Sequence, residues 1–349
     1  KQKTAYEIMP SLVGSEMCIR DRIKNIAVAG VAFLVMSCSA QDLRDVIVSH
    51  TDDQGILQLF RMKEDGSNSF QLTHSETGCR MPSVSPNGKH LIYVEKVGHS
   101  LAIMLSTING KNSRVLINNG INLYPSWGSD SKHIVWMKSL TGTKLQDPVS
   151  NSQIHIMDIS TKNTRRMFSD PVQTKFSNGM PSLSPNGNKV AFVSDRSGIL
   201  RIWVSNVDGS KARQISIPPF EKHEKLDLAI EQKVPAWSPD GQWIAHWEGV
   251  EMIHMSQFTG VKNLQRDQQI SATFHVWIVS HDGKQRRRVG HGDDPTWSPD
   301  GFVTRAFPDQ KIGGPRVVVK TLSGEKDLTI VPHRRNWGRF AWIPKSSHK

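Results

Sequence analysis

Cysteine is scarce in this sequence. Its 349 residues include three cysteines, at positions 18, 38 and 79, and none of them forms a Cys-x-x-Cys pair. That spacing excludes a clustered thiolate zinc site and provides no framework of internal disulfides. Cys79 lies just before an apolar segment, so we expect it to be a small buried hydrophobic side chain.

Catalytic motifs and long apolar runs are also absent. No apolar run is long enough to cross a bilayer as a helix. There is no Gly-x-Ser-x-Gly elbow, no P-loop and no dinucleotide-binding fingerprint. The stretch "HEKLD" from His223 has Asp227 where a zinc-protease motif requires its second histidine. The sequence therefore contains no motif that assigns it to a known class of enzyme.

A repeat dominates the rest of the chain. The segments "VPAWSPDG" from Val234 and "DPTWSPDG" from Asp294 end in a pattern that fits a type I turn with a left-handed glycine. Apolar strand segments and a second turn, often Asn-Gly or Asp-Gly, follow each copy. Four antiparallel strands in a unit of about 40 residues or more are typical of a propeller blade. A large apolar residue two positions after the repeated proline is predicted to form a core layer, at Val84, Trp127, Leu183, Trp237 and Trp297.

The two ends of the chain predict how the units are arranged. Residues 46–73 supply the second to fourth strands of a unit, and "NWGRFAWIP" (residues 336–344) resembles the missing first strand, with Trp342 in the repeated apolar position. We therefore expect an all-β fold, a six-bladed β-propeller of four-stranded antiparallel blades. The C-terminal strand is expected to close the ring by pairing with the N-terminal blade. The propeller is predicted to span residues 46–344, with residues 345–349 as a tail.

The repeats resemble a known family. The stretch "PSLSPNGNKVAFVSDRSGILRIWVSNVDGSKARQIS" (residues 181–216) is similar over its whole length to the WD40-like (PD40) repeats of the TolB-like propeller family. The resemblance covers roughly residues 46–343 and implies the propeller fold, together with protein contacts in the cell envelope. Because this propeller is attached to many different activities, the resemblance implies no particular reaction.

The N-terminal segment resembles a bacterial lipoprotein signal. Basic Arg22 and Lys24 precede a mostly apolar stretch, and residues 35–38 ("VMSC") resemble a lipobox. This implies a signal peptide over residues 22–37, lipidation of Cys38 and a short tether over residues 38–45. Ser39 after that cysteine implies the periplasmic face of the outer membrane; otherwise we expect a periplasmic protein. Residues 1–21 resemble sequencing-adapter read-through, so we interpret them as an artefact.

Positive charge exceeds negative charge. The sequence has 44 Lys and Arg against 32 Asp and Glu, a formal net charge of +12. A basic exported protein can attract acidic polysaccharides, lipid headgroups or acidic protein surfaces. We expect a monomer, and no nucleic-acid partner, because no nucleic-acid-binding motif is present. Several arginines on predicted outer strands are expected to be solvated, namely Arg165, Arg166, Arg286, Arg287 and Arg288.

The connectors from each fourth strand to the next first strand are predicted to meet at one mouth of the central channel. We expect a polar ligand-binding surface there and assign no catalytic residue. The predicted mouth residues are His74, Glu76, Tyr124, His223, His291, Asp293, Asp294, His333, Arg334 and Arg335. Neutral imidazoles also suit a divalent metal. The candidate metal ligands are His74, His223, His291 and His333.

Two insertions enlarge the units around residue 240. Residues 217–233 separate two units, and we expect residues 221–231 to form a short helix at the channel face. Residues 247–273 lengthen the following unit between its second and third strands, and we expect them on the opposite face. Extra loops on a rigid scaffold often carry recognition.

These observations lead to two functional hypotheses. The first is a lipid-anchored cell-envelope propeller that binds an envelope protein or an acidic polysaccharide, without catalysis and without a cofactor, and touches the membrane only through its lipid. The second is an enzyme resembling oligogalacturonate lyase, a polysaccharide lyase with a histidine-bound divalent metal such as Mn or Ca in the channel. Convergence of three of the candidate histidines on one point would favour the enzyme.

Overall fold

The computed structural model describes residues 43–140, 149, 151–218, 222–223, 228–250, 274–301, 303–309, 314–320, 325–328 and 337–344. Within these ranges the chain forms antiparallel strands and one four-residue helix, α1 (Pro171–Thr174), whose first turn is capped by Asp170. The predicted all-β class is therefore confirmed. No helix within the same ranges is long and apolar enough to cross a membrane.

The first unit combines both ends of the described chain. Its four strands, in the order in which they pair, are β25 (Trp337–Trp342), β1 (Asp45–Thr51), β2 (Leu57–Lys63) and β3 (Phe70–Gln71). Val46 pairs with Trp342 in the antiparallel register between β1 and β25. This pairing agrees with the prediction that residues 336–344 complete the N-terminal unit.

The second and third units follow directly along the chain. A single parallel bridge between Leu101 and Ile121 links them into one eight-stranded sheet. The second unit consists of β4 (Cys79–Val84), β5 (His90–Val97), β6 (Ser100–Thr107) and β7 (Arg114–Ile117). The third consists of β8 (Ile121–Trp127), β9 (His133–Ser139), β10 (Ser152–Asp158) and β11 (Thr164–Arg166).

The fourth to sixth units repeat the same antiparallel order, and the fifth carries one extra strand. The fourth unit consists of β12 (Asn178–Leu183), β13 (Lys189–Ser194), β14 (Arg201–Asn206) and β15 (Arg213–Gln214). The fifth consists of β16 (Lys222–His223), β17 (Leu228–Trp237), β18 (Trp243–Val250), β19 (His275–Ser280) and β20 (Arg286–His291). The sixth consists of β21 (Asp293–Trp297), β22 (Val303–Asp309), β23 (Gly314–Lys320) and β24 (Glu325–Leu328).

The inner strand of each unit runs between two faces. We name the end with the Ser-Pro-Asp-Gly-like turns the turn face, at residues 85–88, 128–131, 184–187, 238–241 and 298–301. The turns between third and fourth strands lie on the same face, because the Ile108 N–H donates to the Lys89 carbonyl at 3.0 Å. We name the opposite end the connector face, because there each fourth strand leads to the next inner strand.

A bulge recurs immediately before the repeated proline of the inner strands. The register of β4 with β5 shifts between Arg80 and Ser83, on either side of Pro82. Proline offers no N–H to a ladder, so a bulge at this point interrupts hydrogen bonding where one donor is already missing. A left-handed backbone at a residue other than glycine costs roughly 1–3 kcal/mol. Five residues adopt it here, at Met81 (φ 55°), Tyr124 (51°), Met180 (48°), Val234 (56°) and Asp294 (44°).

Apolar cores lie between consecutive units. Ile92 and Ile103 of the second unit pack with Ile134 and Trp136 of the third in one cluster, and all four are at most 2% exposed. Burying one such side chain contributes about 1.5–3 kcal/mol. Alternation along each strand turns one set of side chains toward the preceding unit and the other toward the next. Adjacent units therefore stabilise one another.

Hydrogen bonds also cross between units near their outer edge. The Arg165 guanidinium donates to the Val207 carbonyl of the next unit at 2.9 Å. Arg213 repeats the contact one unit later, with the His281 carbonyl at 2.8 Å. Both acceptors belong to turns between third and fourth strands. These two arginines therefore connect the third and fourth units to the turns of the units that follow them.

The expectation that the outer-strand arginines are all solvated is wrong for Arg286. Its side chain is 17% exposed, and Nη2 forms an ion pair with Oε2 of Glu248. The guanidinium carbon lies 3.7 Å from the ring centroid of Trp277. Arg287 and Arg288, in contrast, are exposed. Arg286 is turned inward by its ion pair with the buried Glu248 carboxylate, whereas alternation alone would place Arg288 on the same side of the strand.

The predicted helix over residues 221–231 is also wrong within the described residues. Lys222–His223 forms β16, which pairs antiparallel with Leu228 and Ala229 of β17. The strand continues through Glu231, Gln232 and Lys233, which are all buried. Pairing with β18 satisfies this backbone and places the segment inside the sheet, which outweighs its local preference for a helix.

The second insertion does not begin on the face that the sequence analysis assigned to it. Val250, the last residue of β18, pairs with Ile230 near the start of β17. Because β17 ends at the turn face, its antiparallel neighbour ends at the connector face. Both insertions therefore leave the fifth unit at the connector face. Residues 251–273 lie outside the described residues.

Candidate functional site

A cavity of about 420 Å³ lies between the inner strands, toward the turn face. The last residues of six inner strands and the turns that follow them form its wall. The repeated prolines in the wall are Pro82, Pro125, Pro181, Pro235 and Pro295. The next position contributes Ser83, Ser126, Ser182, Ala236, Thr296 and Ala341. The position after that contributes Val84, Trp127, Leu183, Trp237, Trp297 and Trp342.

The large apolar residues of the wall also link neighbouring units. The indole Nε1 of Trp127 donates to the Ser83 carbonyl of the preceding unit at 3.0 Å. Trp297 makes the equivalent bond to the Ala236 carbonyl. Both indoles are at most 8% exposed, so they offer only a ring edge to the cavity. These two tryptophans thus mainly connect neighbouring units, and only a small part of each ring is exposed at the cavity surface.

The cavity wall is almost free of charge. Asp294 is the one charged residue among its described lining residues, and these include no Lys, Arg or His. The other lining groups are proline rings, hydroxyl groups of serine and threonine, and tryptophan edges. A concave, mainly apolar surface with a few hydroxyl groups is suited to an uncharged segment of a ligand. A polyanion would meet no positive charge on this described wall.

The predicted mouth residues fall into separate places. Asp294 lines the cavity, whereas Tyr124 packs against the core and its backbone N–H donates to the Met81 sulfur at 3.4 Å. His74 and Glu76 are exposed in the connector before β4. Asp293 begins β21, next to Asp294. The remaining predicted mouth residues, His333, Arg334 and Arg335, lie outside the described residues.

The candidate metal ligands have varied surroundings. His74 Nδ1 lies 3.1 Å from Gln71 Nε2. His291 ends β20 and meets His275 edge-on, with ring centroids 5.7 Å apart. His223 lies on β16, and His333 is not among the described residues. In the described part of the chain, no group of three or more His, Cys, Asp or Glu side chains is arranged to hold a metal ion.

A buried polar network lies in the fifth unit, and sequence reasoning missed it. Oε2 of Glu248 accepts a hydrogen bond from Gln232 Nε2 at 2.8 Å and also binds Arg286. Gln232 donates in turn to the Ser216 hydroxyl, which lies 3.2 Å from His246 Nε2. Burial disfavours the imidazolium and lowers the pKa of His246 to about 3. Ser216, Gln232, His246 and Glu248 are each at most 7% exposed, so this described network lies inside the protein.

A buried ion pair lies beside this network. Lys233 Nζ is 2.6 Å from Glu231 Oε2, and both side chains are less than 10% exposed. The same ammonium lies 5.9 Å from the ring centroid of Trp247. The only sequence signal for this pair was two opposite charges two residues apart, which alternation places on one side of a strand.

Antiparallel four-stranded units arranged around an axial cavity define a β-propeller. A family model described as the TolB beta propeller domain (PD40) matches residues 45–275. The chain belongs to this family.

Two relatives illustrate the sequence similarity. An uncharacterized protein of Agrobacterium fabrum (strain C58) is 27% identical over 270 residues, which covers 74% of this chain and 80% of that protein. The Tol-Pal system protein TolB of Francisella tularensis subsp. mediasiatica is 32% identical over 180 residues, or 51% of this chain. That alignment spans 37% of the Francisella protein.

Solved structures show the same fold at low sequence identity. TolB from Acinetobacter baumannii superposes with a TM-score of 0.63 and 18% identity, over 86% of this chain and 67% of that chain. An oligogalacturonate lyase in complex with manganese has a TM-score of 0.51 and 14% identity, over 80% of this chain and 72% of that one. At these identities the likeness concerns the fold alone.

Proposed function

We propose that this chain is a closed, six-bladed propeller that binds a protein segment in its axial cavity without catalysing a reaction. Pairing of β25 with β1 and contacts between β21 and β25 support closure of the ring. A closed ring leaves no inner strand without neighbours on both sides, and it holds the cavity wall in a fixed shape. Such a wall binds with little loss of its own conformational freedom.

The lining of the cavity, in which Asp294 is the one charged residue among the described residues, is the observation that carries this proposal. A peptide can place apolar side chains against proline rings and tryptophan edges, and its backbone can bond to the hydroxyl groups of Ser126, Ser182 and Thr296. An acidic polysaccharide would bring a carboxylate close to Asp294, and like charges repel. The chemistry of the described wall therefore favours a protein partner over an anionic glycan.

The proposed setting is the bacterial cell envelope. The matched Francisella relative is named a Tol-Pal system protein, and we extend an envelope role to this chain by analogy with that name. We further propose export by a signal peptide over residues 22–37, lipidation of Cys38, a tether over residues 38–45 and a propeller over residues 46–344. The lipid would hold the protein at the periplasmic face of the outer membrane.

The lyase alternative gains no specific support from the described residues. His74 and His291 contact Gln71 and His275 respectively. The likeness to a manganese-bound lyase is one of fold, at 14% identity. We therefore keep a binding function as the conclusion and treat the lyase as an outcome of the tests below.

Selection from a random peptide library tests the binding function. Peptides enriched on the wild-type protein are measured against Thr296→Arg, which introduces charge and bulk into the cavity wall, and against Thr161→Arg, which alters an exposed turn. We expect affinity to fall by at least about tenfold for Thr296→Arg only. Circular dichroism checks that each variant is folded, and Ser126→Arg provides a second cavity variant.

Two results would overturn the proposal. Peptides that bind both arginine variants as well as the wild type would not be bound in the cavity. Oligogalacturonate that binds the wild-type protein and displaces the peptides would replace the protein partner with an acidic glycan.

A further inference from the structure

The polypeptide enters the described domain at the turn face. Arg44, next to the first described residue, forms a salt bridge in which Nη1 lies 2.9 Å from Oδ2 of Asp300. Asp300 belongs to the turn over residues 298–301, where the Gly301 N–H donates to the Ser298 carbonyl. This contact fixes the entry point beside the turn that follows β21.

Arg44 is held from several directions. Nε lies 3.4 Å from Glu64 Oε2, and the Glu64 N–H donates to the Arg44 carbonyl at 2.8 Å. The guanidinium carbon lies 5.4 Å from the ring centroid of Trp342, in the strand that completes the first unit. Its side chain is 15% exposed. The chain therefore leaves the domain from a rigid point and not from a loose loop.

The distance from this point to the proposed anchor is short. Cys38 precedes Leu43, the first described residue, by five positions in the sequence. A chain of that length spans at most about 18 Å when fully extended. The inner strand β4 has six residues, so the connector face lies about 20 Å beyond the turn face. A lipid at Cys38 therefore lies within about 18 Å of the entry point, closer to a membrane next to the turn face than to one next to the connector face.

Exposed lysines surround the turn face. Lys111, Lys162 and Lys211 lie in or beside the turns between third and fourth strands of three consecutive units, and all three are exposed. Lys284 occupies the same turn in the fifth unit, with its side chain 82% exposed. Asp208 and Asp282 lie in two of these turns, and hydrogen bonds from neighbouring serines lower the pKa of both carboxyls, so each stays ionised near its lysine. Lysines at a membrane surface can extend toward lipid phosphates.

We propose that the anchored protein lies with its turn face against the lipid surface and its connector face directed away from it. This orientation rests on the proposed lipidation of Cys38. Both insertions of the fifth unit begin on the connector face, which is the side directed away from the lipid.

Fluorescence quenching in vesicles tests the orientation. The lipidated full-length protein is purified and reconstituted into phosphatidylethanolamine and phosphatidylglycerol vesicles that contain lipids with a nitroxide on the headgroup. Single cysteines carry the fluorophore, at Lys111→Cys and Lys211→Cys on the turn face and at Glu76→Cys and Lys175→Cys on the connector face. All four positions are exposed. Cys79 is 0% exposed, so it contributes no background labelling.

We expect most of the fluorescence to be lost from the two turn-face labels and little from the two connector-face labels. Equal quenching of all four labels, or stronger quenching on the connector face, would overturn the orientation. The Cys38→Ser variant tests the anchor separately, because it should leave the membrane fraction. A Cys38→Ser protein that stays in the membrane fraction would contradict the proposed lipid anchor, whatever the labels report.

Discussion

The indole Nε1 of Trp297 donates a 2.9 Å hydrogen bond to the carbonyl oxygen of Ala236, in the preceding unit. The same bond joins Trp127 to Ser83. Trp237 occupies the equivalent position and is similarly buried, yet its Nε1 has no hydrogen-bond partner among the described residues. The repeated tryptophan thus forms a hydrogen bond between units at Trp127 and Trp297, whereas Trp237 contributes packing alone.

This difference gives a matched pair of substitutions. Trp297→Phe removes a hydrogen bond and leaves a buried carbonyl with one partner fewer, whereas Trp237→Phe removes an unpaired N–H. Both changes lose similar ring area. We expect the free energy of unfolding to fall by about 1 kcal/mol more for Trp297→Phe than for Trp237→Phe. Urea denaturation of both variants measures the difference, and equal losses would show that the inter-unit bond adds nothing.

Arg286→Ala should destabilise the protein strongly. Without the guanidinium, Glu248 would remain as a buried carboxylate with Gln232 as its remaining described partner. Loss of one partner of such a pair typically costs about 3–5 kcal/mol. The exposed neighbour provides the control, because Arg287→Ala should change stability by less than about 0.5 kcal/mol. Thermal and urea unfolding of the two variants test this, and similar stabilities would contradict the buried ion pair.

Acid should weaken the fold through its buried histidines. Burial lowers the pKa of His246 to about 3 and that of His155 to about 4, below the usual 6.5. The folded state therefore binds fewer protons than the unfolded state below pH 6.5, and the free energy of unfolding falls as pH decreases toward 4. One such histidine contributes up to about 1.4 kcal/mol per pH unit. Full stability is present above pH 6.5.

His246→Asn tests this pH dependence. The variant should lose less stability than the wild type between pH 7 and pH 5, whatever its stability at pH 7. Thr161→Asn, a substitution of an exposed residue that does not titrate, is the control and should leave the slope unchanged. An unaltered slope in His246→Asn would show that this imidazole is not held neutral in the folded protein.

Removal of residues 337–349 should abolish cooperative folding. The truncation deletes β25 and exposes the edge of β1, and an unpaired strand edge promotes aggregation. Removal of residues 345–349 alone leaves the pairing of Val46 with Trp342 intact and should have little effect. Size-exclusion chromatography and urea unfolding compare the two truncations. A monomeric, cooperatively folded protein lacking residues 337–349 would contradict the closing role of β25.

Metal removal should leave the protein unchanged. We expect the purified protein to unfold at the same temperature with and without a chelator, and to release no unsaturated product from oligogalacturonate. Elemental analysis and the ultraviolet absorbance of the reaction mixture measure the two outcomes. Bound manganese or calcium together with cleavage of the polysaccharide would replace the binding function with a lyase. Activity that is lost in His291→Ala would then identify a ligand.

The sequence predicted the repeated elements well, for a physical reason. Turn chemistry and apolar alternation are local, so the turn over residues 238–241 and the strand beginning at Trp243 are both readable from a short window. The pairing of Val46 with Trp342 was also predictable, because the N-terminal unit visibly lacked one strand. Because the same local pattern recurs along the chain, it also predicted a series of similar sheets.

The candidate site was harder to predict because it depends on direction and distance. The mouth was expected at the connectors, whereas the described cavity is lined by the turn ends of the inner strands, with Asp294 as the shared residue. Polar residue type guided that expectation, but the wall is made mainly of proline and small residues. The inward turn of Arg286 similarly depends on which side of the strand meets Glu248, and no pattern in "RRR" identifies it.

The position after each repeated proline contributes one side chain per unit to a common wall. The side chains at this position are all small, and each lies between a proline and a larger apolar residue. They are Ser83, Ser126, Ser182, Ala236 and Thr296. Evolution or a protein engineer can therefore exchange these side chains one at a time without rebuilding the scaffold. A change in a single copy alters one sector of the wall, so duplication followed by divergence at this position provides a combinatorial route to new binding specificities.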